Sequence, residues 1–258
     1  VGPLLEINNM KPYISVIIPC LNEEHFLPKL LKNLNSQTFK KFEVIVVDGN
    51  STDKTAEVVT KFKSNYPLQL VSTEVRNVSF QRNLGAKNAT GKVLIFFDAD
   101  TQIPKDYLQK ITLAFQKKHP HFLSTYISVD SKKPSDKMFA SFTNLVFEIG
   151  LLIKIPSSYG AMQAVTKKAF FDVGGYDPKT KFGEDSQLFQ KLSDAKYKFI
   201  ILKDPRYIFS LRRFHSEGTL KSLGQYLQLN LNILLRGYYG KTKITYQMGG
   251  HRYQNKLK

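Results

Sequence analysis

Four short strand-like runs, each followed by a stretch with helical character, decide what this chain can fold into. The runs are residues 13–18 (YISVII), 42–47 (FEVIVV), 68–72 (LQLVS) and 93–97 (VLIFF). After the first, Leu27, Leu30, Leu31 and Leu34 recur at i, i+3, i+4 and i+7, the stripe of an amphipathic helix. Asn22 is placed to cap that helix, and Pro28 falls near its first turn, where proline is tolerated. Helices are predicted over residues 53–62 and 77–89, the second closed by Gly91. Strands that alternate with helices form right-handed β-α-β units and a parallel sheet. In such sheets ligands bind beyond the carboxyl ends of the strands. Pro19, Asp48 and Asp98 all fall at strand ends, so three of these ends converge on one rim.

The last of the four runs carries the most chemistry. Residues 93–97 lead straight into Asp98-Ala99-Asp100. In extended backbone, residues i and i+2 share a face, so the two carboxylates repel each other unless a positive charge lies between them. A divalent cation carrying a diphosphate fits, because hard cations take oxygen from one or two carboxylates plus phosphate. A solvated acidic turn is the other reading of the same residues.

Downstream, the pattern predicts a helix over residues 104–117 and a strand over 122–129. Residues 138–155 are strongly apolar, with Phe139, Phe142, Leu145, Phe147, Ile149, Leu151 and Leu152 among them. They read as a core helix, or as a surface helix that meets lipid or a lipid-linked acceptor. Gly174-Gly175-Tyr176-Asp177 is a loop, Gly183-Glu184-Asp185 opens a further helix, and residues 199–202 form one more strand. In the tail, Leu220, Leu223, Leu227, Leu231, Leu234 and Leu235 have near-helical spacing, with Lys221, Arg236, Lys241 and Lys243 in or after it. That pattern suits an interfacial helix on anionic lipid and equally a helix packed on the domain. Residues 1–9 are expected to be disordered or foreign to the domain. Residues 10–215 are expected to form the α/β unit, divided into 10–101 and 102–215, with 216–258 as a basic amphipathic segment.

Charge narrows the partners. Lys and Arg number 38 against 21 Asp and Glu, a formal net charge of +17. Residues 196–258 hold 13 of those bases and only 2 acids. Such a balance suits nucleic acid, an anionic membrane surface or an anionic substrate. The one cysteine, Cys20, rules out an internal disulfide and a cysteine zinc cluster and is compatible with a reducing cytoplasm; it follows an apolar strand and reads as a buried, inert thiol. No uninterrupted apolar run reaches the roughly 18 residues of a spanning helix, and residues 1–9 lack the basic start and apolar core of a secretion signal.

Four blocks, in order and at plausible spacing, make the chain resemble the inverting family-2 glycosyltransferases. They are SVIIPCLNEE from Ser15, VIVVDGNSTDKT from Val44, QRNLGAKNATGKVLIFFDADT from Gln81 and GGYDPKTKFGED from Gly174. The resemblance covers about residues 13–215. It implies the GT-A fold: a Rossmann-like, mixed but mostly parallel central sheet flanked by helices. It also implies a nucleotide-diphosphate sugar, most simply UDP-linked, as donor. Pro19, Asn22, Glu23 and Asp48 would contact its base and ribose, although Asn22 and Glu23 also fit a cap and its neighbour. Many relatives have two adjacent aspartates where this chain has Asp48-Gly49, which leaves the base open. Arg82 and Asn83 would contact the donor, and Asp98, Ala99 and Asp100 would form the D-x-D element that holds Mg²⁺ or Mn²⁺ on the diphosphate. His215 is a candidate further metal ligand. Asp185 would be the catalytic base, kept ionised by the helix N-terminus, with Glu184 beside it orienting the acceptor; first-turn capping is the plainer job for both. Arg212 and Arg213 would pair with the diphosphate or with a phosphate on the acceptor.

These implications predict a metal-assisted, inverting transferase of single sugars, peripheral on the cytoplasmic face of a membrane, acting on a glycan or lipid-linked acceptor. The absence of Trp and of a Q-x-x-R-W segment argues against a processive synthase. Two other classes fit less well. A sugar nucleotidyltransferase needs a Gly-rich basic loop after the first strand, where this chain has PCLNEEHF. A basic nucleic-acid binder has no use for Asp98, Asp100 and Asp185, which repel phosphate.

Overall fold

The computed structural model describes residues 11–153, 161–180 and 183–212. Within them, seven strands form one sheet in the order β3-β2-β1-β4-β6-β5-β7. β1 (Ile14–Cys20), β2 (Phe42–Asp48), β3 (Leu68–Ser72) and β4 (Val93–Phe97) run parallel. β6 (Met162–Thr166) is antiparallel to both neighbours, β4 and β5 (Phe122–Val129). β7 (Phe199–Phe209) joins β5 in parallel at the edge. The helices are α1 (Leu27–Asn35), α2 (Thr55–Lys61), α3 (Val78–Asn88), α4 (Tyr107–Lys118), α5 (Pro134–Leu152), α6 (Lys167–Asp172) and α7 (Glu184–Asp194). The parallel set β1–β4 is what the alternation predicted, and the mixed, mostly parallel whole is what the family resemblance implied.

Successive strand residues point to opposite faces, and both faces are covered. Val16, Ile18, Val44, Val46, Ile95 and Phe97 pack with Leu27, Leu30, Leu31 and Leu34 of α1 and with Ile111 and Phe115 of α4. Ile17, Ile45, Val47, Leu94 and Phe96 pack on the other side with Ala86 of α3, Phe170 of α6 and Leu188 and Phe189 of α7. Gly85 lets α3 lie close to the sheet, since a Cβ there would come within 2.4 Å of Ile17 Cγ2.

Several local expectations are corrected. Pro19 does not stop β1, which continues to Cys20 against β2. Pairing with β4 has ended at Ile17, so the missing N–H falls where the strand has a partner on one side only. Asn22 is not the cap of α1, which begins after Phe26 with no side-chain cap. Asn22 is left-handed at φ 55°, and its carboxamide oxygen accepts from the Thr52 N–H at 2.8 Å. β6 and α6 lie in a stretch where no element was expected, and β7 runs past residue 202 to Phe209. α5 begins at Pro134 and exposes most of its large side chains, so it is a surface helix and not a core one. Residues 1–10, 154–160, 181–182 and 213–258 lie outside the described residues, and with them Arg213, His215 and the leucine-rich tail.

Candidate active site

Two arginine-centred clusters occupy the rim beyond the strand ends. The first is built on α3. Asn77 caps this helix by accepting from the Phe80 N–H at 2.9 Å, and Arg82 lies inside it with only 2% of its side chain exposed. One guanidinium nitrogen donates to Asp98 Oδ1 at 2.9 Å, the other to Glu184 Oε1 at 2.8 Å. The guanidinium lies 5.2 Å from the centre of the Tyr176 ring. Burial disfavours its charge, but Tyr176, Asp98, Glu184 and Asp185 outweigh that and hold it firmly protonated. Asp98, 36% exposed, is pushed above the usual carboxylate range by desolvation, against the pull of Arg82.

Asp185 belongs to the same cluster. Glu184 and Asp185 open α7 after Gly183, whose φ of 77° suits glycine. The fully buried Gln163 of β6 donates to the Asp185 backbone carbonyl at 2.9 Å, and the Tyr176 hydroxyl donates to Gln163 Oε1 at 2.5 Å. The Asp185 carboxylate accepts the Ser186 N–H at 2.8 Å. The helix N-terminus was expected to keep Asp185 an ordinary ionised acid. Instead its pKa is pushed up to about 7, first by desolvation and then by the charge of Glu184. A helix terminus contributes only about 0.3–1 kcal/mol at an exposed site, too little to offset both.

The second cluster joins Glu23, Asp100 and Arg212. Arg212 forks onto Glu23 at 2.8 and 2.9 Å and reaches Asp100 Oδ2 through Nε at 2.7 Å. Its guanidinium sits 4.3 Å from the Phe26 ring centre. Glu23 is buried, and desolvation, with Asp100 and Asp98 adding to it, raises its pKa to about 7 despite Arg212. Ala99, buried, separates the acids of the two clusters.

The remaining predicted residues are placed nearby, in supporting contacts. Asp48 accepts from the Ser51 backbone and hydroxyl, while the Ser51 hydroxyl accepts from the Asn22 N–H, so the loops after β1 and β2 are tied together. Pro19 lies in β1 opposite Val47. Asn83 uses both ends of its carboxamide on the Tyr176 backbone, at 2.8 and 3.0 Å, holding the Gly174–Tyr176 turn against α3. Cys20 is buried with its thiol pKa well raised by desolvation, as suits an inert side chain. Gln163 and Gln81 were missed. Gln81 donates to the Cys20 and Val47 carbonyls at 2.9 and 3.3 Å, and a Cβ on Gly49 would come within 2.3 Å of its nitrogen. A side chain at position 49 would therefore have to displace the Gln81 carboxamide.

Among the described residues no three His, Cys, Asp or Glu side chains come together as a protein-only metal cage. Asp98 and Asp100 suit a different arrangement, in which a hard cation takes one or two carboxylates and completes its shell with phosphate oxygens and water. Both carboxylates now have a guanidinium as their positive partner.

The profile of glycosyl transferase family 2 matches residues 15–175. The chain belongs to this family. It is 30% identical over 179 residues, 65% of its length, to the dolichyl N-acetyl-alpha-D-glucosaminyl phosphate 3-beta-D-2,3-diacetamido-2,3-dideoxy-beta-D-glucuronosyltransferase of Methanococcus voltae. It is 34% identical over 236 residues, 89% of its length, to the poly(ribitol-phosphate) beta-N-acetylglucosaminyltransferase TarS of Staphylococcus aureus. The chain spans 53% of the first relative and 35% of the second. Among solved structures, residues 1–349 of S. aureus TarS superpose with a TM-score of 0.64 at 25% identity, covering 83% of this chain and 65% of that one. The mannosyltransferase PcManGT of Pyrobaculum calidifontis, solved with GDP-Man and Mn²⁺, superposes with a TM-score of 0.66 at 23% identity, covering 85% and 65%, a likeness of fold.

Proposed function

We propose that this family-2 glycosyltransferase moves a single sugar, with inversion, from a nucleoside diphosphate sugar to a hydroxyl of a lipid-linked or cell-envelope glycan. UDP is the preferred nucleotide in this reading, with residues 10–101 as the donor half and 102–215 as the acceptor half. The single observation that carries it is Arg82, which joins Asp98 at the end of β4 to Glu184 at the start of α7, 102 residues away from Arg82 in sequence. Strand-end acids, which suit a diphosphate and its cation, are thereby held beside a pair of acids that suits an attacking hydroxyl.

In the proposed reaction the acceptor oxygen bonds to the anomeric carbon from the face opposite the diphosphate. The bond from that carbon to the diphosphate oxygen breaks, and its electrons leave with the diphosphate. Asp185 takes the hydroxyl proton. A base works best with a pKa near the operating pH, and the raised pKa of Asp185 supports this role. Glu184 orients the acceptor and keeps Arg82 in place. Asp98 and Asp100 would hold Mg²⁺ or Mn²⁺, which supplies charge stabilisation to the departing diphosphate. The relatives named for a dolichyl phosphate glycan and for poly(ribitol-phosphate) support an envelope or lipid-linked acceptor. We place the protein on the cytoplasmic face of a membrane, bound peripherally; no described helix is long and apolar enough to cross one.

Asp185→Asn tests the reading. Donor affinity is expected to persist while transfer falls by about a hundredfold, the lower end of general-base contributions. Turnover within a few-fold of the parent would remove Asp185 from the base role.

A further inference from the structure

Helix α5 is built inside out. The residues it buries are Asp136, Ala140, Thr143, Asn144, Phe147 and Gly150, so apart from Phe147 the inner face is small or polar. Asn144 and Asp136 are accounted for locally, whereas the buried Thr143 hydroxyl has no hydrogen-bond partner among the described residues. Asn144 bonds both the N–H and the C=O of Ile127, at 2.9 and 3.0 Å, where the β5–β7 ladder shifts register, and Asp136 accepts from the Ser131 hydroxyl. The outer face carries Met138, Phe142, Leu145, Ile149 and Leu152, spaced by four, three, four and three residues. Their exposures run from 46% to 80%, with Met138 at 71% and Leu152 at 80%. A helix of a water-soluble domain normally turns such a stripe inward, as α1 does with all four of its leucines. A continuous exposed stripe of this size marks an interaction surface.

We infer that the outer face of α5 docks the protein on an anionic lipid surface. Charge selects this occupant. The stripe begins beside the exposed Lys132, Lys133 and Lys137, and Arg206 of β7 flanks it over the Tyr126 ring. Nearby acids are already matched: Lys203 holds Glu148, and Lys110 holds Asp204. An apolar stripe with a cationic border is the pattern of a helix lying in the headgroup region, and juxtamembrane bases favour anionic lipid. The stripe is about 21 Å long at 1.5 Å per residue, suited to lying flat on a bilayer.

The position also serves the reaction. Ala161 lies at the rim, where its carbonyl accepts from the Thr101 hydroxyl at 2.9 Å and from the Asp98 N–H at 3.4 Å. Seven residues of chain lie between Ile153 and Ala161, so the helix end lies within roughly 28 Å of Ala161. Helix α5 belongs to the proposed acceptor half, so a membrane held by it presents lipid-borne hydroxyls to that half. The inference rests on the membrane-proximal part of the proposed function and is independent of the base assignment.

The test is co-sedimentation of the full chain with phosphatidylcholine vesicles, with and without 30 mol% phosphatidylglycerol, for the parent and for the triple variant Phe142→Ser, Leu145→Ser, Ile149→Ser. These side chains are exposed, so the variant is expected to fold, which its circular dichroism checks. The parent should bind the anionic vesicles at least tenfold more strongly than neutral ones, and the variant should lose most of that binding while hydrolysing donor at the parent rate. Equal binding by parent and variant would move docking to another part of the chain and overturn the inference. So would a parent that stays in the supernatant, or one that is a dimer by sedimentation velocity while the variant is a monomer, which assigns the stripe to a second copy. Donor hydrolysis separates the two readings: if it persists without vesicle binding, docking falls and the transfer reading stands.

Discussion

The two arginine clusters share a plan and differ in depth. Each sets one guanidinium between two acids from distant parts of the chain, and each contains an acid raised to about 7, Asp185 in one and Glu23 in the other. Arg82 is 2% exposed, rises from a capped helix and rests over Tyr176. Arg212 is 13% exposed and rests on the Phe26 ring. The lesson is that the same ion chemistry can be set at different depths along one rim. The deeper arginine bridges Asp98, which still meets water, to the more enclosed Glu184. The shallower one covers Asp100, the acid that a cation bound to substrate would also claim.

The largest expected break in this comparison comes from Arg82→Ala. Removing the centre of a buried ion cluster leaves Glu184 and Asp98 uncompensated, and should lower stability by about 3 kcal/mol in chemical denaturation, the low end for buried pairs because Asp98 still meets water. Arg82→Lys should recover little, since one ammonium cannot fork onto two carboxylates. A loss below roughly 1 kcal/mol would show that the cluster does not hold the rim.

Next in size is the pH dependence. Asp185 must be unprotonated to accept a proton, so transfer should fall about tenfold per pH unit below 7 and level off above it. Stability should move the other way. Both Asp185 and Glu23 have folded pKa values above those of unfolded chain, so the folded state binds more protons between about pH 4 and 7, and stability falls as pH rises through that window. Denaturation midpoints measured from pH 4.5 to 7.5 check this, and Asp185→Asn should flatten the slope. A rising midpoint would contradict the buried character of both acids.

The smallest effect sharpens the contrast. Arg212→Ala should cost less than Arg82→Ala, because Glu23, already raised to about 7, can take up a proton once the guanidinium is gone, and should tighten Mn²⁺ binding in the absence of donor by several-fold in calorimetry, because Asp100 loses its competing cation. Unchanged or weaker Mn²⁺ binding would make Arg212 a permanent part of the site.

Much of the fold was legible because its signals are local. β5 is found where the sequence reading put it, and β2, β3 and β4 within a residue, since apolar runs bounded by turn residues need no distant information. β6 was missed: MQAVT is five residues long, and its Gln163 is buried only because Asp185 and Tyr176 use it. The second half of β7, with Lys203, Asp204 and Pro205, reads as a turn and is held as strand by β5. At the site, the strand-end acids were visible as a pattern. Their arginines were not paired in the sequence, because Arg82 meets Glu184 across 102 residues and Arg212 meets Glu23 across 189, and no periodicity encodes such contacts. The ionisation of Asp185 was misjudged for the same reason: the helix terminus is local, whereas desolvation comes from the whole rim.

β6 has one more consequence. Its ladders to β4 and β5 fuse the strands of residues 11–101 and those of residues 102–212 into a single plate. Hinged movement between the two sides would tear backbone hydrogen bonds in the middle of the sheet. Any adjustment that admits a ligand must therefore come from the segments beyond the strand ends, while the spacing between strands stays rigid.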